Sequence, residues 1–220
     1  MPKAAITNKL SQSDIDLFYD IFFSLLDFIN KRDRIIPGLL PTIHAFTGQN
    51  SLDPAQIKQI ASVVWTNPGR EIDAYLATAD SPKDSEKREI LTDWKRCVNG
   101  QFFIERHLKS GSVLIGRPDN SNQQEQSEQS QQPRGQAGKN DEDDHVYVVS
   151  GLNSSIEEMF PPDYFPLPVL VRATLLPFKG KIITDGLVQR YNIFSGGGIK
   201  KMLKETYSEA KKDGRIVTSL

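Results

Sequence analysis

The sequence predicts a mixed α+β protein whose N-terminal half is helical and whose C-terminal half contains an antiparallel sheet. Three observations predict it. Apolar residues recur at helical spacing in the first half, alternating strand-like segments follow Gly100, and one more helical pattern lies near the C-terminus. We therefore expect a helical subdomain over residues 1–99. Residues 100–220 are expected to form a sheet of about five strands followed by a C-terminal helix.

The composition is that of an ordinary globular chain, with 220 residues, 38% hydrophobic and 25% charged residues and a formal net charge of −1. No apolar run reaches the roughly 18 residues of a membrane-spanning helix, and the N-terminus lacks a signal-peptide pattern. Cys97 is the single cysteine, which excludes an internal disulfide and a zinc site of the usual cysteine and histidine kind. We therefore expect a soluble cytoplasmic protein with no membrane contact, metal or other cofactor.

The clearest element is a helix over residues 15–29, where most side chains are apolar. Ser13 and Asp16 have the spacing of a capping box at its start. Its polar stripe contains Asp16, Asp20 and Asp27. A solvated face is the favoured interpretation of that stripe, because a cation site needs convergent ligands. A helix this apolar must be buried in its own domain or against a partner, so a homo-oligomer formed through it is one expectation.

Three further helices are expected in the N-terminal half. The first begins at Ser51 as its cap and ends at Asn67, before a proline. A short helix near residues 71–77 follows, and a longer one covers about residues 84–98. Cys97 falls on that last helix, on a side that looks internal.

The β-rich half begins with a predicted hairpin and continues with three later strands. The strand patterns cover residues 101–108, 112–115, 146–149, 169–176 and 182–188. Between the second and third strands lies an insertion, residues 117–145, with seven glutamines and one residue of the hydrophobic set. This insertion has too little apolar surface to offset the entropy of ordering, so it is expected to be a disordered loop.

The last helix is expected to follow three consecutive glycines, Gly196, Gly197 and Gly198, and to stop near Gly214. Backbone N–H groups at such a turn attract anions, and glycine lets a ligand approach closely. The turn matches neither a P-loop nor a dinucleotide-binding loop. A sharp turn that needs glycine is the competing explanation.

Basic residues concentrate around this turn. Residues 179–215 contain nine Lys or Arg and four Asp or Glu. The residues assigned to a possible anion-binding surface are Lys179, Lys181, Gly196, Gly197, Gly198, Lys200 and Lys201. Such a surface would suit an anionic partner, either nucleic acid or an acidic protein. The alternative is that these lysines form only the solvated face of an amphipathic helix.

Two residues are candidates for acid/base chemistry. His107 adjoins Arg106 in a predicted strand, so the two side chains point to opposite faces. Asp185 interrupts an apolar strand before Gly186, as a turn or bulge residue or as an acid/base group. No nucleophile-elbow, metalloprotease or paired-carboxylate motif accompanies them. A non-enzymatic binding module is therefore preferred over the alternative, an enzyme acting on a phosphorylated small molecule.

Several short motifs resemble those of a group of prokaryotic proteins with no assigned activity. They are Trp94-Lys95, the GxFxIxRHLK pattern of residues 100–109, the LLPFKGKIIxDGL pattern of residues 175–187 and the GxGI pattern of residues 196–199. The resemblance covers most of the chain apart from the glutamine-rich insertion. It implies one intact domain and no particular reaction. Some members of the group carry a cysteine-rich zinc motif, whose role does not transfer to these 220 residues.

Overall fold

The fold was analysed in a computed structural model, which describes residues 10–39, 53–119, 144–192 and 196–220. These ranges contain helices and strands in the predicted α+β arrangement. The helices are α1 (Gln12–Asp33), α2 (Pro54–Thr66), α3 (Pro68–Leu76), α4 (Ser85–Trp94), α5 (Ile156–Met159) and α6 (Gly197–Lys212). The strands are β1 (Val98–Leu108), β2 (Gly111–Pro118), β3 (His145–Ser150), β4 (Val169–Phe178), β5 (Lys181–Thr184), β6 (Gln189–Arg190) and β7 (Ile216–Val217).

The N-cap of helix α1 lies two residues before the predicted cap. Ser11 is the N-cap, and its Oγ accepts a hydrogen bond from the Asp14 backbone N–H at 3.1 Å. The Asp14 carboxylate in turn accepts from the Ser11 backbone N–H, which completes the capping box. The prediction of Ser13 with Asp16 was therefore wrong, because Ser13 already lies inside the helix.

The later helix ends also differ from the sequence expectations. Asp53 caps α2 by accepting a hydrogen bond from the Ala55 N–H at 2.9 Å, and Ser51 lies outside the described residues. Helix α4 ends at the fully buried Trp94, so the predicted extension to residue 98 was wrong. Cys97 therefore lies between α4 and β1 and not on a helix. The physical reason is strand pairing, since β1 is already bonded to β4 from its first residue.

Five strands close into a barrel in the order β1, β2, β3, β5, β4 and back to β1. Four of the five pairings are antiparallel, as the sequence predicts, while β3 and β5 are parallel and complete the ring. Strand β1 pairs with both β2 and β4, and its register with β2 shifts between Ile104 and Arg106. Such an irregularity bends a strand, which helps it to belong to both sides of a barrel.

Several strands end at residues other than those predicted from the sequence. Strand β5 stops at Thr184 instead of residue 188, because Gly186 turns the chain with a φ of +81°. Strand β2 continues to Pro118 and β3 begins at His145, so both ends of the predicted insertion belong to strands. Residues 120–143 of that insertion lie outside the described residues.

The barrel interior and its two covered outer faces form the hydrophobic core. The interior contains Phe102, Leu114, Val171 and Leu175, among others, and α5 contributes Ile156. The helical layer packs on the outside of β4 and β5 through a large aromatic and aliphatic cluster. In that cluster the rings of Phe18, Phe22, Trp94 and Phe178 lie close to Leu176 and Ile183.

Helix α6 covers the other outer face, formed by β1, β2 and β3. Its buried residues Leu203, Tyr207 and Ala210 pack against Val113 and Ile115. The apolar residues of α1 are buried within this same chain, which is one of the two arrangements the sequence allows. Among the described residues, no helix is both long and apolar enough to cross a membrane.

Candidate functional site

The predicted glycine turn lies at the N-terminus of α6 and is exposed. Gly196 is the N-cap in an extended conformation, with φ −66° and ψ 168°, and among the described residues no side chain caps the helix. The first turn also contains no acidic residue. The first N–H groups of any helix have no partner inside the helix. The start of α6 therefore presents a positive backbone edge.

The backbone of these three glycines does not require glycine. None of Gly196, Gly197 and Gly198 has a positive φ. A Cβ atom built on any of them would meet no atom within 4 Å. Gly180 and Gly186 differ, because they adopt φ values of +71° and +81°. Neither conformation nor packing of these three described residues explains why glycine occurs there.

Lysines follow the turn on the exposed side of the helix. Lys200, Lys201 and Lys204 lie in the first two turns of α6, and all three are exposed. Cations at the N-terminus of a helix oppose its macrodipole, which favours cations at the other end. Lys201 forms an exposed pair with the Glu205 carboxylate at 3.9 Å. We call Gly196, Gly197, Gly198, Lys200, Lys201 and Lys204 the α6 surface.

Lys179 and Lys181 lie elsewhere, at the turn between β4 and β5. Lys179 forms an ion pair with Glu86 of α4. A hydrogen bond from Ser11 lowers the pKa of Asp14, and the charges of Lys179 and Lys181 lower it further. These two lysines thus face carboxylates of the helical layer. Of the seven residues assigned to anion binding, five lie on α6 or its N-cap and two lie on this separate turn.

His107 occupies the end of β1, on the side opposite to Arg106. Its Nδ1 lies 2.7 Å from the Ser112 Oγ in a half-buried position. Burial lowers the pKa of His107, although the charge of Glu157 in α5 opposes this change. The Arg106 guanidinium instead lies over the ring of Tyr207 in α6, 4.1 Å from its centroid. Burial therefore favours the neutral form of the His107 imidazole.

Asp185 is a buried acid at the end of β5. Its side chain is only 5% exposed. One carboxylate oxygen accepts a hydrogen bond from the Trp65 Nε1–H at 2.8 Å, and the other accepts from the Leu187 N–H at 3.0 Å. Burial raises the pKa of Asp185 to about 6, while these two hydrogen bonds oppose the rise. Asp185 is therefore a turn residue with a perturbed carboxyl, and its role as an acid/base group stays a prediction.

A cleft of about 120 Å³ opens beside Asp185, between α2 and the barrel. We call it the α2 cleft. Its polar lining includes Lys58, Trp65, Asn99, Arg172, Thr174 and Asp185. Sequence reasoning found only Asp185 of this group, because the others come from α2, β1 and β4 and share no local motif.

The structure does not bring His107 and Asp185 into one pocket. The Asp185 N–H bonds to the Thr174 carbonyl, and Thr174 lies opposite Asn99 at the start of β1. His107 lies near the other end of that strand, about 25 Å further along at roughly 3.3 Å per residue. The glycine turn of α6 does not line the α2 cleft either.

Cys97 lies close enough to Asp185 for the charge of the carboxylate to affect the pKa of its thiol. Burial raises the pKa of the Cys97 thiol to about 12, and the Asp185 carboxylate contributes to that rise. The thiolate is the nucleophilic form of cysteine. A thiol with such a pKa stays protonated at neutral pH, which makes Cys97 a poor nucleophile.

No protein-family model matches this chain, and neither a curated protein nor a solved structure shows significant similarity to it. Its function must therefore be argued from the residues of the α6 surface and the α2 cleft.

Proposed function

We propose that this protein is a non-enzymatic binding module that uses the α6 surface to contact an anionic partner, and that this partner is nucleic acid. The observation that carries the proposal is the start of α6. Three glycines that neither conformation nor packing requires are followed by exposed lysines at the positive end of the helix dipole.

This arrangement lowers the stability of the helix. A glycine in a helix is less favourable than alanine by about 0.5–1 kcal/mol. A cation near a helix N-terminus adds an unfavourable contribution of roughly 0.3–1 kcal/mol. An anion at the same place would offset both costs, because glycine permits close approach to the N–H groups and lysine supplies charge. The binding of a phosphate group would therefore explain both the glycines and the lysines at the start of α6.

The position of α6 on the barrel determines which surface a partner would meet. Five-stranded Greek-key barrels are known to bind oligonucleotides on the outer face of their second and third strands. Here Leu203 and Tyr207 cover that face, so a partner approaching from this side meets the exposed lysines of α6. A shared barrel architecture does not by itself imply a shared function, so the proposal rests on the residues of α6.

Lys179 and Lys181 have a smaller part in this proposal. Lys179 is paired with Glu86, and both lysines lie near Asp14. A phosphate would have to compete with these carboxylates. We therefore expect Lys200 and Lys201 to contribute more to affinity than the two lysines of the β4–β5 turn.

The test is the affinity for a fluorescently labelled single-stranded oligonucleotide, measured by anisotropy at low salt. The variant carries Lys200→Glu together with Lys201→Glu. A control carries Lys31→Glu together with Lys83→Glu, which changes the net charge equally on exposed sites of the helical layer. We expect at least tenfold weaker binding for the first variant and nearly wild-type binding for the control. Equal weakening by both variants, or no binding by the wild type, would contradict the proposal.

An enzyme acting on a phosphorylated small molecule is the other function considered from the sequence. In that hypothesis the glycine turn holds phosphate while Asp185 or His107 acts as the acid or base. Asp185 bonds to Trp65 and His107 lies beside Ser112, so no described contact joins the three groups, and this is why we prefer the binding function. Homo-oligomerisation through α1 and an acidic protein partner stay predictions.

A further inference from the structure

We propose that the α2 cleft binds inorganic hydrogen phosphate, with Lys58 and Arg172 holding its charge and Asp185 accepting a hydrogen bond from its hydroxyl group. This inference is independent of the function proposed for α6, because it uses other residues on another face of the barrel.

The size of the cleft suits a small ligand. Its volume of about 120 Å³ exceeds what a single water molecule needs, so a tetrahedral oxyanion has room in it. The lining combines polar and charged side chains with Ala61, Ala173 and Leu187.

Within the part of the chain that the structure describes, the two cations of the cleft have unused donors. The Lys58 Nζ donates to the Gln189 Oε1 at 2.8 Å, which leaves two of the three ammonium N–H groups. Arg172 pairs with the exposed Asp119 through one nitrogen of its five-donor guanidinium.

The positive charges of Lys58 and Arg172 also repel each other when no anion is bound in the cleft. Burial lowers the pKa of Lys58, the carboxylate of Asp185 opposes this, and the charge of Arg172 lowers it further. An anion placed between the two side chains would favour the charged form of Lys58. Charge-assisted hydrogen bonds of this kind are stronger than those between neutral groups.

Asp185 determines which anion is accepted. Each of its carboxylate oxygens already accepts one hydrogen bond, from Trp65 or from Leu187, and can accept a second. An ionised carboxylate has no hydrogen to donate, so it repels an anion that has no proton. Hydrogen phosphate carries a hydroxyl group that can donate to Asp185, whereas sulfate at neutral pH does not. The cleft should therefore prefer phosphate to sulfate, although the two anions have the same shape.

The first experiment compares anions and needs no variant. Isothermal titration calorimetry at pH 7.5 measures the affinity of the wild-type protein for sodium phosphate, sodium sulfate and methyl phosphate. Methyl phosphate has lost its last proton at this pH, since the second pKa of a phosphate monoester is about 6. We expect phosphate to bind at least tenfold more tightly than the other two anions. Sulfate or methyl phosphate binding as tightly as phosphate, or no phosphate binding, would overturn the proposal.

The second experiment assigns the residues. Asp185→Asn should remove the preference for phosphate over sulfate, because an amide can donate to either anion. Lys58→Met should weaken phosphate binding at least tenfold, while the matched control Lys83→Met on an exposed turn should leave it unchanged. A Lys58→Met variant that is folded by circular dichroism and binds phosphate like the wild type would exclude the proposed site.

Discussion

Replacing Asp185 with asparagine should change how the stability of the protein depends on pH. The substitution keeps the size of the side chain and its carbonyl acceptor for the Trp65 N–H, but it removes the titrating group. In the wild-type protein the pKa of Asp185 is raised by burial to about 6 from its ordinary value of 3.8. The folded protein therefore binds a proton at this site over a pH range in which the unfolded chain has already released it.

The direction and the size of the pH effect on stability follow from the difference between these two pKa values. Because the folded-state pKa is the higher one, the stability contributed by protonated Asp185 is fully present below pH 3.8. It is lost as the pH rises through about 6. A difference of about two pKa units corresponds to about 3 kcal/mol. The stability of Asp185→Asn lacks this pH dependence. The hydrogen bond from the Leu187 N–H is lost in the variant, and this loss lowers the free energy of unfolding by an amount that does not change with pH.

The assay is urea unfolding of the wild type and of Asp185→Asn between pH 4 and pH 7. The free energy of unfolding of the variant minus that of the wild type should increase by about 2.5 kcal/mol across this range, because the unfolded chain has already begun to release this proton at pH 4. The other carboxyl groups titrate in both proteins and cancel in the difference. A difference that stays constant, or that decreases with pH, would refute the reasoning that Asp185 is buried and ionised at neutral pH.

Three further outcomes are expected. Gly197→Ala combined with Gly198→Ala should raise the free energy of unfolding by about 1–2 kcal/mol, since an added Cβ meets nothing, yet should weaken oligonucleotide binding in the anisotropy assay. Leu203→Ala should lower the free energy of unfolding in urea by about 2–5 kcal/mol, because this side chain is 1% exposed where α6 meets the barrel; a much smaller loss would contradict that packing. Trp65→Phe should raise the pKa of Asp185, measured by NMR titration of its carboxyl carbon, because a donor to the carboxylate is removed; an unchanged pKa would exclude that role of the hydrogen bond.

The helices and the hairpin could be predicted because their signals are local. Leu203 and Ala210 share one face of the last helix, and that face is buried. Local signals failed where two equal patterns compete. Ser11 with Asp14 and Ser13 with Asp16 have the same capping-box spacing, and only the folded chain distinguishes them.

The closure of the barrel and the α2 cleft could not be predicted, because both depend on contacts between distant segments. The parallel pairing places Val149 opposite Ile182, and parallel strands are not joined by a short turn that could be recognised in the sequence. Lys58 and Arg172 meet only because α2 packs beside β4. Asp185 gave the one local signal, a carboxylate at the end of an apolar strand and before a glycine.

The salt dependence of oligonucleotide affinity tests the role of the α6 surface most directly. For contacts between single-stranded nucleic acid and three lysines, the logarithm of the association constant should fall with the logarithm of salt concentration with a slope of about −2. Neutralising Lys200 and Lys201 with glutamine should make that slope shallower by about 1.4. A slope near zero, or the same slope in the wild type and the glutamine variant, would contradict binding through α6.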